Sequence, residues 1–288
     1  MNVEKTRFSR DDMEMQYNLR LLRPDYMTAV VPEWERRSER TRATRNCTLD
    51  VRYGDGPDER MDIFPASDPD APVLVYFHGG YWQRGNRSIY SFLSEAFVDS
   101  GITVVLPGYT LCPDTNISGI VGQARQAVAR TILDTDLVPG NRRRLVVGGH
   151  SAGGQITGMI MATDFSAVDV VLPVAPVRRG LPMSALFDLR PLMPTTLNDA
   201  LRIDDAEAAA MSPIDHAPVS DAPQLVIIGD AETEEFHRQA NNYKALYETA
   251  ERPIDRFNSA GDDHFDLLNS LADPTSALFT RCRDFILS

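Results

Sequence analysis

What most restricts the fold of this chain is the alternation of short apolar runs with segments of helical length. Runs rich in Val, Ile, Leu and Phe stand at Leu49 to Tyr53, Met61 to Pro65, Pro72 to Phe77, Ile102 to Leu106, Arg144 to Val147, Val168 to Val174, Leu225 to Ile228 and Ile254 to Phe257. Continuous runs of this length, closed by Gly or Pro, are the pattern of strands covered on both faces, since a strand with one wet face alternates polar and apolar residues. Between them lie Ser88 to Asp99, Ile117 to Asp134, Ala152 to Thr163, Thr233 to Glu251 and Thr275 to Leu287, with apolar residues at helical spacing. Strand and helix in turn predict right-handed βαβ units, hence an α/β fold: a mostly parallel twisted sheet of about eight strands with helices on both faces. At 288 residues, 43% of them hydrophobic, the chain is long enough to be one such domain over 1–288. Two pieces break the alternation. One is a polar helical leader, residues 1–45; the other is a proline-rich, cap-like insertion, residues 177–219, with no strand signal. Both are expected to shape an opening over the sheet.

The charge count narrows the partners. With 29 Lys and Arg against 41 Asp and Glu, the net charge of −12 repels phosphate backbones and anionic lipid heads. Nucleic acid and membrane are therefore not expected as partners. No apolar run approaches the roughly 18 residues of a membrane span, and Met1 to Arg20 has no signal-peptide core, so a cytoplasmic protein is expected. Cys47, Cys112 and Cys282 lie far apart without a CxxC pair and read as reduced thiols rather than zinc ligands or a disulfide framework.

The chemistry starts at Gly149-His150-Ser151-Ala152-Gly153, which follows the apolar Leu145-Val146-Val147 and opens the helix at Ala152. The pattern G-x-S-x-G arises by chance about once in ten chains of this size. At a strand-to-helix turn it is far more specific, because small flanking residues let the turn tighten and lift the serine hydroxyl as a nucleophile. His78-Gly79-Gly80-Tyr81-Trp82 ends the run Val73 to Phe77 and has the form of an oxyanion-hole loop. The N–H groups of Gly80, Tyr81 and Ala152 are the expected donors, with Gly79 setting the bend.

A serine hydroxyl needs a base, and of the five histidines His264 is the choice. It follows the late strand Ile254 to Phe257, and the chain order serine, acid, histidine then fits a Ser-acid-His triad on such a sheet. His78 and His150 read as structural hydrogen-bonders, with His150 also a candidate to touch substrate, and His216 and His237 as peripheral. The acid is expected in Gly229-Asp230-Ala231-Glu232-Thr233-Glu234-Glu235. Glu232 is the better placed to reach His264, Asp230 is the alternative, and Glu234 and Glu235 read as first-turn residues favoured by the helix dipole. Asp262 and Asp263 read as turn residues rather than a metal site. Tyr81, Trp82, Tyr109 and the aromatic and Met residues of 177–219 are candidates to line a substrate pocket. No cofactor and no metal are required.

Taken together, the residues resemble the α/β-hydrolase superfamily and, within it, the kynurenine formamidase (arylformamidase) family. The resemblance covers nearly the whole chain: Tyr17-Asn18, Tyr53-Gly54 before Asp62-Ile63-Phe64, His78 to Trp82, Tyr109 to Pro113, Gly149 to Gly153, Phe187 to Leu192, Ser212-Pro213, Glu235 to Gln239 and His264-Phe265. It implies an α/β-hydrolase fold, an oxyanion hole at His78 to Trp82, attack by Ser151, and a triad completed by Glu232 and His264. The family more often has aspartate at the acid position, so Glu232 is a departure. The function implied is a serine hydrolase that cleaves an ester or (aryl)formamide or amide bond through an acyl-enzyme. The alternatives are a short-chain carboxylesterase or aryl amidase of the same family and, remotely, a non-catalytic binding protein on the same fold. The expected partner is a small-molecule ester or amide substrate, with a homodimer left open.

Overall fold

The structure, a computed structural model, describes residues 4–288, so the first three residues of the expected leader lie outside the described residues. Eight strands form one sheet in the order β1-β2-β4-β3-β5-β6-β7-β8. They are β1 (Thr48–Arg52), β2 (Arg60–Phe64), β3 (Pro72–Phe77), β4 (Thr103–Pro107), β5 (Asn141–His150), β6 (Arg179–Met183), β7 (Gln224–Gly229) and β8 (Ile254–Ser259). β2 pairs antiparallel with β1 and β4, whereas β3 to β8 pair in parallel. Every residue of β3, β4 and β7 is buried, which is why their sequences are unbroken apolar runs rather than alternating ones.

The sixth strand is not the one expected. Val168 to Val174 forms no strand: Val170 and Val171 are 91% and 69% exposed. Asp164 and Asp169 accept hydrogen bonds from the Ser166 and Val171 amides, and these turns, with Pro173, take the backbone away from the sheet. The strand is instead Arg-Gly-Leu-Pro-Met at 179–183, inside the region expected to lack strands. It lies between β5 and β7, and Gly180 admits the close neighbours Met161 and Gln224. The remainder of that region, beyond Met183, forms short helical turns and a helix at Asp205–Met211.

The leader is helical, with elements at Met13–Tyr17, Leu19–Leu21, Tyr26–Val30 and Val31–Thr44. Tyr26–Val30 is a π-helical turn in which the Val31 amide bonds back to the Tyr26 carbonyl. Pro32, which has no N–H to offer the preceding turn, accounts for the irregular ladder there. Trp34 is 1% exposed, stacks against Phe92 and donates from Nε1 to Asn269 Oδ1 at 3.1 Å. Arg23 pairs with Asp263 and Asp266, in and beside the turn that carries His264. The leader is thus packed onto the C-terminal side of the sheet. Trp34→Ala is expected to lower stability by about 3–5 kcal/mol, measured as a drop in the urea midpoint; a change below about 1 kcal/mol would mean that the leader is not part of the cooperative unit.

Candidate active site

The glycine loop and the serine emerge from the carboxyl ends of β3 and β5, where the order β4-β3-β5 reverses direction along the chain, and the acid and histidine from the ends of β7 and β8 on the same edge of the sheet. β5 ends at His150, the next residue is Ser151, and the helix Ala152–Met161 begins at once. Ser151 lies at φ 58°, ψ −116°, a conformation costly for any L-residue, and its amide donates to the Met183 carbonyl at 2.8 Å. A Cβ at Gly153 would overlap the Phe77 carbonyl oxygen, so the helix can leave the strand this steeply only with glycine there.

The loop after β3 runs through three successive left-handed residues, Gly80 (φ 116°), Tyr81 (φ 51°) and Trp82 (φ 54°). The bend therefore sits at Gly80 to Trp82 and not at Gly79 as expected. Gly79 serves close approach instead, since a Cβ there would stand 3.0 Å from the His150 carbonyl oxygen and 3.2 Å from Ser151 Cβ. Among the described residues, nothing accepts a hydrogen bond from the amides of Gly80, Tyr81 or Ala152. Unengaged amides beside a serine are what an oxyanion needs.

Two expected pocket residues are not in the cleft. Trp82 is fully buried and donates from Nε1 to Gln155 Oε1 at 3.2 Å. Tyr109 is buried too, its hydroxyl donating to the His78 carbonyl at 2.8 Å and its ring stacked on His78 at 4.3 Å. Both support the loop from behind, because a buried indole or phenol seeks a partner for its polar end. Tyr81 does line the cleft, and its hydroxyl donates to the Tyr17 carbonyl of the leader.

On the far side, β7 and β8 bring the acid and base together. His264 Nδ1 lies 2.7 Å from Glu232 Oε2, with side chains 6% and 0% exposed. The other carboxylate oxygen accepts from the Gly229 amide at 2.8 Å and from the Ser184 hydroxyl. Asp230, the alternative acid, is exposed on the outer side of the turn. Asp262 accepts from Ser259 Oγ at 2.5 Å and Asp263 from the Phe265 and Asp266 amides, so both act as turn residues. His150 faces His264 with ring centroids 4.4 Å apart; burial first, and the neighbouring imidazole second, push its pKa well down. Its Nε2 has no partner among the described residues.

Three residues have roles that the sequence did not show. Ser184 follows the strand that the apolar pattern misplaced, and nothing in its local composition marks it. Glu235 is not a simple first-turn acid: it is buried, forms a two-pronged pair with Arg238 and accepts from the Tyr17 hydroxyl at 2.8 Å. Gln239 also reaches that hydroxyl, at 2.6 Å. The cleft is narrow, with about 40 Å³ open to the centre of a water molecule. Its walls beyond Ser151, His150 and His264 are mostly leader and loop residues: Leu19, Arg20, Tyr26, Trp34, Arg84 and Phe265 among them. From residues 177–219 only Leu197 takes part, so the aromatic and Met residues of that region do not line the cleft.

A family model described as the alpha/beta hydrolase fold matches residues 74–266, about two thirds of the chain and the whole stretch from β3 to the histidine loop. The chain belongs to the α/β-hydrolase family. It is 29% identical over 277 residues to kynurenine formamidase of Danio rerio, covering 92% of each chain. The corresponding protein of Salmo salar is 28% identical, covering 94% of this chain and 93% of its own. Among solved structures, a candidate thioesterase from Silicibacter sp. superposes with a TM-score of 0.81 at 29% identity, covering 96% of this chain and 99% of that one. An esterase from Pyrobaculum calidifontis shares the fold, with a TM-score of 0.70 at 18% identity over 94% of this chain and 96% of its own. This hydrolase acts on ester or amide bonds of small molecules. Among the described residues, no helix is long and apolar enough to cross a membrane.

The histidines behind the loop make stability depend on pH. Burial holds His78 down to about 4 against an ordinary 6.5, and His150 is lowered in the same direction. Between those values the unfolded chain binds protons that the folded chain refuses, so the stability present above pH 6.5 is lost as pH falls toward 4. For His78 this amounts to about 2 to 3 kcal/mol between pH 7.5 and 4.5. Urea midpoints at the two pH values should show a smaller acid loss in His78→Gln than in wild type; equal losses would mean that His78 does not resist protonation.

Proposed function

We propose that the chain cleaves aryl formamides through an acyl-enzyme on Ser151, with His264 as base and Glu232 as the acid that orients it. The observation that carries this reading is the buried 2.7 Å contact between His264 Nδ1 and Glu232 Oε2. That contact leaves Nε2 as the free ring nitrogen in a cleft shared with Ser151 and the unengaged amides. In this reading His264 Nε2 takes the Ser151 proton as the oxygen attacks the carbonyl carbon, and Glu232 steadies the imidazolium. The amides of Gly80, Tyr81 and Ala152 receive the oxyanion, each donor being worth about 10²–10³ in rate. His264 then gives the proton to the leaving amine as the C–N bond breaks. A water, deprotonated by the same nitrogen, attacks the acyl-serine; the serine oxygen leaves with the proton and the acid is released. The leader and the turns beyond β6 serve as a cap over the cleft.

The relatives named kynurenine formamidase, similar over nearly the full length, support a formyl group as the acyl part. The resemblance to a candidate thioesterase supports a second reading, in which a short-chain ester or thioester is the substrate. Steady-state hydrolysis of N-formylkynurenine, p-nitrophenyl acetate, p-nitrophenyl butyrate and an aryl acetamide separates the two. Formamidase action gives N-formylkynurenine the largest kcat/KM by at least about tenfold, and ester or acetamide preference selects the second reading. Ser151→Ala is expected to lose at least about 10⁴-fold in kcat. Glu232→Gln, which keeps the shape but loses the charge, should lose about 10³- to 10⁴-fold. Turnover retained by either variant would remove its residue from the mechanism.

A further inference from the structure

The cleft that holds Ser151 and His264 is lopsided in charge. Its walls include two guanidinium groups, Arg20 from the leader and Arg84 just beyond the left-handed turn, and no Asp or Glu. Eleven arginines among the described residues pair with a carboxylate. Arg87 pairs with Asp62 at 3.0 Å, Arg238 with Glu235 at 2.7 Å and Arg23 with Asp266 at 3.0 Å. Among the described residues, neither guanidinium group in the cleft has a salt bridge or a hydrogen bond. Glu14, the carboxylate that Arg20 senses from its own segment, is already committed to Asn18 Nδ2 at 2.6 Å and the Thr196 amide at 2.8 Å. Half-burial of Arg20, and secondarily the Arg84 charge across from it, press its pKa downward. Arg84 is exposed and Arg20 half-buried, so an anion at the cleft meets one guanidinium group open to solvent and one partly withdrawn from it.

The remaining walls define what carries that anion. Tyr26, Trp34, Tyr90 and Phe265 give the cleft an aromatic wall, a surface that suits a planar ring. We propose that Arg20 and Arg84 form an anion subsite of this cleft, and that the substrate is an aryl amide or aryl ester bearing a carboxylate. This rests on the reading that Ser151 is the nucleophile of the same cleft. The carboxylate docks between the guanidinium groups, the ring lies on the aromatic wall, and the scissile carbonyl points at Ser151.

Three aryl acetates of nearly equal shape test this: 4-acetoxybenzoate, its neutral methyl ester, and 4-acetoxybenzyl-trimethylammonium. Wild-type kcat/KM is expected to favour the anion over the neutral ester by about 10- to 100-fold, the range of a charge-assisted hydrogen-bond pair, and to be lowest for the cation. The anion-to-neutral ratio should shrink in Arg20→Gln and Arg84→Gln, approach one in the double variant, recover partly in Arg84→Lys, and fall with added salt. A wild-type ratio near or below one overturns the proposal, as does a ratio unchanged in the double variant. The same order is read without turnover from binding of the three esters to Ser151→Ala protein: anion tightest, cation weakest. A binding order indifferent to charge overturns the anion subsite whatever the fate of the catalytic reading. Turnover persisting in Ser151→Ala overturns the catalytic reading alone.

Discussion

At Ser151 the backbone holds φ 58°, ψ −116°, a geometry that costs on the order of 1–3 kcal/mol and persists only where its surroundings over-determine it. Three contacts do so. The Ser151 amide is tied to the end of β6, Gly153 lies against the Phe77 carbonyl at the end of β3, and the helix Ala152–Met161 is buried along its whole length. A serine lifted this way has its own amide engaged and the next one free. The oxyanion donors, the nucleophile and the histidine loop then share the carboxyl edge of one sheet, and the strain is offset by the packing of a helix and strands that are buried along their whole length.

The leader is the second constraint. Tyr17 links the buried Glu235 and Gln239 to the loop residue Tyr81, Arg23 grips Asp263 and Asp266 beside His264, and Trp34 closes the aromatic wall. A segment that looks like a polar appendage therefore positions both halves of the candidate site, and it supplies Arg20 to the cleft. Its polarity is that of a helix with one narrow buried face, Trp34, Ser38 and Thr41, rather than of a detached arm.

How much of this could be read from residues alone varied with the kind of force involved. Strands covered on both faces announce themselves as apolar runs, and seven of the eight runs are strands. The eighth misled because its valines are interrupted by Asp169 and Pro173 and bend into turns, while the true strand is held by its neighbours rather than by its own composition. Ser184 was hidden by that same slip. Glu232 was legible because its distance from the strand end determines its reach, which Asp230 lacks. Trp82 and Tyr109 were misjudged because aromatic residues in a motif serve core and pocket alike. The cleft's arginines and leader aromatics were invisible because only tertiary folding brings residues 20, 26, 34 and 84 around Ser151.

The most direct measurement is covalent: react the protein with a fluorophosphonate, which modifies only an activated serine beside a working oxyanion hole, and locate the adduct by mass spectrometry. The expected result is one phosphonyl group per chain, on the peptide containing Ser151, with hydrolysis of aryl acetates lost in proportion to labelling and no adduct in Ser151→Ala. Labelling at another residue, or full hydrolysis with Ser151 modified, would contradict the assignment of the elbow serine as nucleophile.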